Sequence, residues 1–168
     1  MNKIIAKEIM EILKLEPHPS EGGYFAETYR SKEDVKEDFL PLRYKTDHSF
    51  ATAIYYLITS DSFSAMHKLI TDEIFHFYLG DPVEMLLLYP HGESKIITLG
   101  ADLAAGQRPQ VIVPRGVWQG ACLTGGEFAL LGTTMSPGFD FADFEIGKRD
   151  FLLEQYPAQS ELIKKLTK

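Results

Sequence analysis

His67 and Glu73 stand among apolar neighbours in the stretch FSAMHKLITDEIFHFYLG, residues 63–80. Side chains in a strand alternate between its two faces. Read as one strand, residues 63–69 put Phe63, Ala65, His67 and Leu69 on a common face. Read as the next strand, residues 73–79 do the same for Glu73, Phe75, Phe77 and Leu79. Each face is apolar apart from one ionisable group. Burying an imidazole and a carboxyl in this way is costly unless the two act together. A carboxylate-paired imidazole can be tuned to exchange a proton near neutral pH. His76 falls on the opposite face, with Ile74 and Tyr78, unless a bulge shifts the register.

A third polar group joins by the same parity. In VWQGACL, residues 117–123, Gln119 shares a face with Val117, Ala121 and Leu123. Polar groups converging in an apolar hollow form the usual pattern of a small-molecule site. The same three groups could instead hydrogen-bond one another as a buried structural cluster. Arg30, in the segment YFAETYRS, could receive a carboxylate or phosphate, or simply pair with Glu27. Tyr24, Tyr56 and Tyr78 are candidate proton donors and equally ordinary sheet residues. Phe75, on the Glu73 face, is a candidate wall of the hollow. His18, between two prolines, lines the mouth only if its loop folds over the barrel. His48 and His91 are expected in solvated loops. Cys122 is expected as a small buried hydrophobe. Trp118 faces away from Gln119 and, if exposed, suits a dimer interface.

These residues need a frame to hold them. The 168 residues suit one domain, and 45% hydrophobic content is enough for an ordinary core. A net charge of −7, with Lys and Arg scattered, argues against nucleic acid and against an anionic membrane surface. One cysteine excludes an internal disulfide and any Cys-based metal motif. Glu8 and Glu11 interrupt the apolar start of the chain, so it does not read as a signal peptide, and no run approaches transmembrane length. A cytoplasmic protein is expected.

Apolar spacing predicts an amphipathic helix over 2–14, with Ile5, Ile9, Ile12 and Leu13 as its inner stripe, stopped by Pro17 and Pro19. A strand follows over 24–31, then a long polar segment over 32–49. From residue 51 the pattern is all-β: short runs at 52–58, 63–69, 73–79, 83–89, 95–99, 110–113, 117–123 and 127–135, separated by turn residues. That spacing predicts a sandwich or small barrel. The aromatic and acidic segment FDFADFEIG, residues 139–147, reads as a lid or as a dimer-clasping strand, and two short helices follow over 148–155 and 158–167.

At residues 51–136 the chain resembles the cupin superfamily. The first cupin motif is G-x5-H-x-H-x3-4-E-x6-G; His67 matches its second histidine, Glu73 its glutamate with one extra residue between, and Gly80 its closing glycine. In the second motif, Pro114, Gly116 and Gln119 stand where the proline, glycine and histidine would be. The segments PHPSEGGYFAETYRS, RPQVIVPRGVWQGA and PGFDFADFE resemble the signature of one small cupin branch. The resemblance implies an all-β jelly-roll barrel with flanking helices. It also implies one domain over 1–168: helix 1–15, barrel 24–136 and helices 148–167. It implies a homodimer as well. Ala65 occupies the place of the first motif histidine and Gln119 that of the last, so a set of three histidines and a glutamate is incomplete. The expectation is therefore no cofactor, with a divalent metal on His67, Glu73 and Gln119 as the alternative.

A looser resemblance is to metal-free sugar-nucleotide epimerases, which are also cupins. It implies His67 as base, Glu73 as its orienting partner and a tyrosine, Tyr56 foremost, as acid. Gln119, Arg30, Tyr24 and Phe75 would then contact the ligand. Three functions stay open: an isomerase or epimerase acting on a sugar-like or carboxylated molecule, a non-catalytic small-ligand cupin, and a metal-dependent enzyme.

Overall fold

The computed structural model describes residues 4–168. The elements are α1 Ala6–Leu13, β1 Glu16–Pro17, β2 Tyr24–Arg30, β3 Asp34–Val35, β4 His48–Ser49, β5 Thr52–Thr59, β6 Ser64–Lys68, β7 Glu73–Gly80, β8 Val83–Leu88, β9 Ser94–Leu99, β10 Gln110–Val113, β11 Trp118–Leu123, β12 Phe128–Met135, β13 Glu145–Ile146, α2 Arg149–Gln155 and α3 Ser160–Lys165. Every run expected to be extended from residue 51 onwards is a strand. Residues 2–3 of the expected first helix lie outside the described residues.

Two sheets carry the fold, in the orders β1-β2-β5-β12-β7-β10 and β13-β6-β11-β8-β9. All their pairings are antiparallel. The main core lies between them. Ile58, Phe75, Val111 and Leu131 from one sheet meet Met85, Leu87 and Leu99 from the other, with Val117 just before β11. Each such side chain contributes about 1.5–3 kcal/mol when fully removed from water. This is a jelly-roll barrel with short flanking helices.

Two further apolar clusters cover the outer faces. Helices α2 and α3 place Leu152, Tyr156, Ile163 and Leu166 against Met66, Leu86, Leu88, Trp118 and Cys122. Trp118 is therefore buried, at 6% exposure, and not a free interface residue. Its ring is also capped by the Lys68 ammonium at 4.4 Å. On the other sheet, Ile9, Ala6, Met10 and Leu13 of α1 pack with Leu57, Tyr24 and Leu130. The inner stripe is thus 6, 9, 10 and 13, the i, i+3, i+4, i+7 positions of one helix face. Ile5 and Ile12 stand exposed. Among the described residues no helix is long and apolar enough to cross a membrane.

Among the described residues strict alternation fails at three bulges, and two of them set the site. On β6 the register to β11 slips between the pairs Gln119–His67 and Ala121–Ser64. This turns Phe63 to the outer, helix-covered cluster that already holds Met66. On β2 the register to β5 slips between Glu27 and Tyr29. The third lies at Tyr78, between Phe77 and Leu79 on β7, and ends the inward face after Phe77, leaving Leu79 exposed.

Candidate functional site

A cavity of about 290 Å³ lies beside the main core. Its walls come from β2, β5, β6, β7 and β12, from the loop carrying His18 and Glu21, and from residues 139–144. His67 and Glu73 both line it, as their parity predicts. Strand β6 of one sheet delivers the imidazole and β7 of the other the carboxyl.

His67 is 2% exposed. Its Nδ1 lies 2.8 Å from the Ala65 carbonyl, which can only accept, so Nδ1 carries a proton. In the neutral ring Nε2 is then a free lone pair. Two carboxylates flank that nitrogen, Glu21 Oε2 at 3.9 Å and Glu73 Oε2 at 4.0 Å. Both separations exceed hydrogen-bond distance. Phe144 stacks on the ring at 5.1 Å.

Glu73 is 6% exposed, and burial, reinforced by the charge of Glu21, pushes its carboxyl up to about 7. His67, Gln119 and Thr133 act in the opposite direction. Gln119 Nε2 donates to Glu73 Oε2 at 2.6 Å. Gln119, 1% exposed, thus sits behind the acid and outside the cavity wall.

Glu21 is the group that the strand pattern does not disclose. It sits in a turn-rich loop, immediately before two glycines with φ of +102° and +66°. A Cβ on Gly22 would come within 2.5 Å of the Phe63 carbonyl oxygen, and one on Gly23 within 2.8 Å of that of Leu57. Only glycine lets the loop lie this close to the barrel. The Ser64 hydroxyl, brought inward by the β6 bulge, donates to Glu21 Oε1. His18 sits in the same loop, and its Nδ1 accepts from the Glu21 amide at 2.9 Å. Burial lowers the pKa of His18, so this ring is neutral at pH 7.

The remaining candidates divide. Arg30 lines the cavity, because the β2 bulge turns it to the side of Phe25 and Glu27. Its guanidinium grips Glu27 through two bonds, at 3.0 and 2.8 Å, and also donates to Ser49 Oγ and the Phe139 carbonyl. Four candidates lie elsewhere, of which Tyr78 is 49% exposed and outside the cavity lining. Tyr24 alternates away from Phe25 and packs towards α1. Phe75 is in the main core beneath the cavity. Tyr56 is 1% exposed, and its hydroxyl donates to the Gly22 carbonyl at 2.8 Å. Burial raises its pKa well above the ordinary phenol value. It buttresses the Glu21 loop and does not face the cavity.

The expectation of a solvated His48 is overturned. This residue is 3% exposed, with Nε2 2.7 Å from Asp143 Oδ2 and Nδ1 2.8 Å from the Thr46 carbonyl. The pair ties the 32–49 segment to residues 139–144, whose Phe139, Phe141 and Phe144 line the cavity. The FDFADF segment is therefore a cavity wall. His76 points outward as expected, its Nε2 3.0 Å from Thr134 Oγ1.

The family model described as Cupin superfamily (DUF985) matches residues 7–147. The chain belongs to that family. An uncharacterised protein of Saccharomyces cerevisiae is 34% identical to this cupin over 134 residues, covering 73% of this chain and 66% of that protein, just under two thirds of its length. A crystal structure of a Shewanella oneidensis protein is 34% identical, with a TM-score of 0.87, and covers 99% of both chains. A hypothetical protein from Leishmania major is 29% identical at a TM-score of 0.86, covering 98% of this chain and 99% of that one. Oxalate decarboxylase from Bacillus subtilis shares the fold alone, at 12% identity and a TM-score of 0.53, over 90% of this cupin and 37% of that chain.

As placed, His67 Nε2 and its two flanking carboxyls are wider apart than neighbouring ligands on a first-row transition metal. Among the described residues no group of three or more His, Cys, Asp or Glu side chains has metal-holding geometry. Ligands held ~2.1 Å from such an ion lie about 3.0–3.4 Å apart when cis in an octahedron or in a tetrahedron, and only one partner of a given ligand can lie trans to it at about 4.2 Å. The His67 nitrogen is 3.9 and 4.0 Å from its two carboxylates. Gln119 directs its NH2 at Glu73, and its Oε1 is buried without a partner.

Proposed function

We propose that the cavity binds a small sugar-like or carboxylated molecule and moves a proton at a carbon next to its carbonyl, as a metal-independent isomerase or epimerase. The supporting observation is His67: an imidazole sealed from bulk water, its tautomer set by the Ala65 carbonyl, its Nε2 open between two carboxyls. A neutral Nε2 takes the proton, and the imidazolium so formed is stabilised by Glu21. Glu73, with its carboxyl near neutral pKa, holds a proton to give back. Glu73 takes the role that the epimerase resemblance gave to a tyrosine; the Tyr56 hydroxyl is turned to the Gly22 carbonyl.

The test is deuterium wash-in from heavy water into a panel of aldoses, ketoses and 2-hydroxy acids. Exchange next to the carbonyl is expected with the native protein and at least a hundredfold less in His67→Ala. Saturable binding with no exchange in any panel member would end the catalytic reading and leave a small-ligand binding cupin.

A further inference from the structure

We propose that the cavity selects a neutral polyhydroxylated carbonyl compound of monosaccharide size and turns away carboxylated and phosphorylated ligands. This rests on the cavity being a ligand site, and does not require that it be catalytic.

The charges of the wall are lopsided. Glu21, Glu27, Glu73 and Asp140 line it against one guanidinium, Arg30. Arg30 is already committed to both oxygens of Glu27, to Ser49 and to the Phe139 carbonyl. The other ring that could carry positive charge at the rim, His18, accepts backbone hydrogen bonds on Nδ1 and is held neutral by burial. Lys168 donates to the Ser20 carbonyl and does not line the cavity. An incoming carboxylate or phosphate would therefore meet the charge of Glu21 and Asp140 with no free cation among the described residues to receive it.

A ligand made of hydroxyl groups suits the same wall. The atoms that need partners are acceptors: His67 Nε2, 2% exposed and unbonded, and the Glu21 oxygen 3.9 Å from it. A hydroxyl donates to such atoms and accepts from the Nε2–H of His18. Phe25, Phe141 and Phe144 supply flat apolar surface for the C–H faces of a ring. The volume of about 290 Å³ equals roughly ten waters at about 30 Å³ each, space for a molecule of about a dozen heavy atoms. A cationic ligand is disfavoured because Glu27 is already neutralised by Arg30, and Glu73, pushed up to about 7, is half protonated at neutral pH.

The test is titration calorimetry on the full chain at pH 7 with glucose, galactose, mannose and fructose, each beside its 6-phosphate, its uronic acid and its 2-amino derivative where one exists. At least one neutral hexose is expected to bind saturably, at least tenfold tighter than each of its charged derivatives. In Glu21→Gln the gap between that hexose and its uronate is expected to close to under threefold. Asp140→Asn, at the half-exposed rim, is expected to narrow the gap in the same direction with the fold untouched. Equal or tighter binding of a phosphate or uronate overturns the proposal. So does an amino sugar that binds tenfold tighter than its parent, or no neutral hexose binding at millimolar concentration. Hexose binding without deuterium exchange ends the catalytic reading and leaves this one standing. Exchange on a sugar phosphate does the reverse.

Discussion

Gln119 Nε2 donates to Glu73 Oε2 at 2.6 Å, while Gln119 Oε1 is buried with no partner. An orphaned buried acceptor costs about 1–3 kcal/mol. The amide accepts that cost because its NH2 stabilises the ionised form of a carboxyl that burial otherwise disfavours. Protonated Glu73 would reverse the preference, since its O–H could donate to the amide oxygen. The orientation of the amide is thus coupled to the proton on Glu73.

Replacing the amide tests this coupling. Gln119→Leu removes the bond to the carboxylate and the orphan oxygen together. The Glu73 carboxyl should titrate above its native value, read from its side-chain carboxyl carbon by NMR. At pH 5, where Glu73 is protonated, the variant should lie within about 1 kcal/mol of wild type. A Glu73 titration that stays in place would show that the bond does not tune the acid.

Stability should fall as pH rises from about 4.5 to about 7. Glu73 is raised from 4.5 to about 7, so the folded state holds its proton where the unfolded chain has lost it. The shift, 7 − 4.5 or about 2.5, corresponds to at most about 3 kcal/mol, present below 4.5 and lost by pH 8. His48 adds a decline of the same sign above pH 6.5. Its pKa is raised, through Asp143 and the Thr46 carbonyl against the opposing effect of burial, and that stability fades as pH passes the folded pKa. Denaturant melts at pH 5 and pH 8 read the sum. Glu73→Gln should remove the part below pH 6.5 and leave the His48 part. An unchanged slope in Glu73→Gln would assign it to another group.

The pair His48–Asp143 should hold the aromatic wall of the cavity in place. Both side chains are almost sealed from solvent, at 0% and 5%. Asp143→Ala leaves a buried imidazole that has lost its partner, a change that costs about 3–5 kcal/mol in buried pairs. Amide exchange over residues 139–144 should quicken before that of β5 or β12. A loss under about 0.5 kcal/mol, or uniform exchange, would show that the pair does not secure the wall.

Phe144→Ala should loosen the site more than the fold. The ring is half-buried and stacks on His67 at 5.1 Å. Truncation should cost about 1–2 kcal/mol, less than the fully buried case. Affinity for the best hexose should fall about tenfold. Unaltered affinity would remove Phe144 from the ligand contacts.

How far the strand pattern reaches can be judged from particular residues. Period-two spacing located β5 to β12 and put His67, Glu73 and Gln119 on inward faces, because one face of each strand must leave water. It failed where a single inserted residue reset the parity. Arg30 reaches the cavity only through the slip after Glu27, and Ser64 meets Glu21 only through the slip on β6. It also failed for His48, which looked like a solvated loop histidine until Asp143, 95 residues away, closed over it. Parity put Trp118 on the outer face but left its exposure open, because helices α2 and α3 cover that face from outside the barrel.

The amino-acid sequence by itself settled the antiparallel barrel, its family and the burial of an imidazole and an acid, since those follow from local spacing and motif. Tertiary structure decided what that imidazole faces. Glu21 arrives on a loop whose two glycines carry no side-chain preference of their own, and Tyr56 is withdrawn to brace it. Which carboxyls flank His67, and how Glu73 titrates, depend on water excluded by segments far apart in the chain. No pattern within one strand encodes that exclusion.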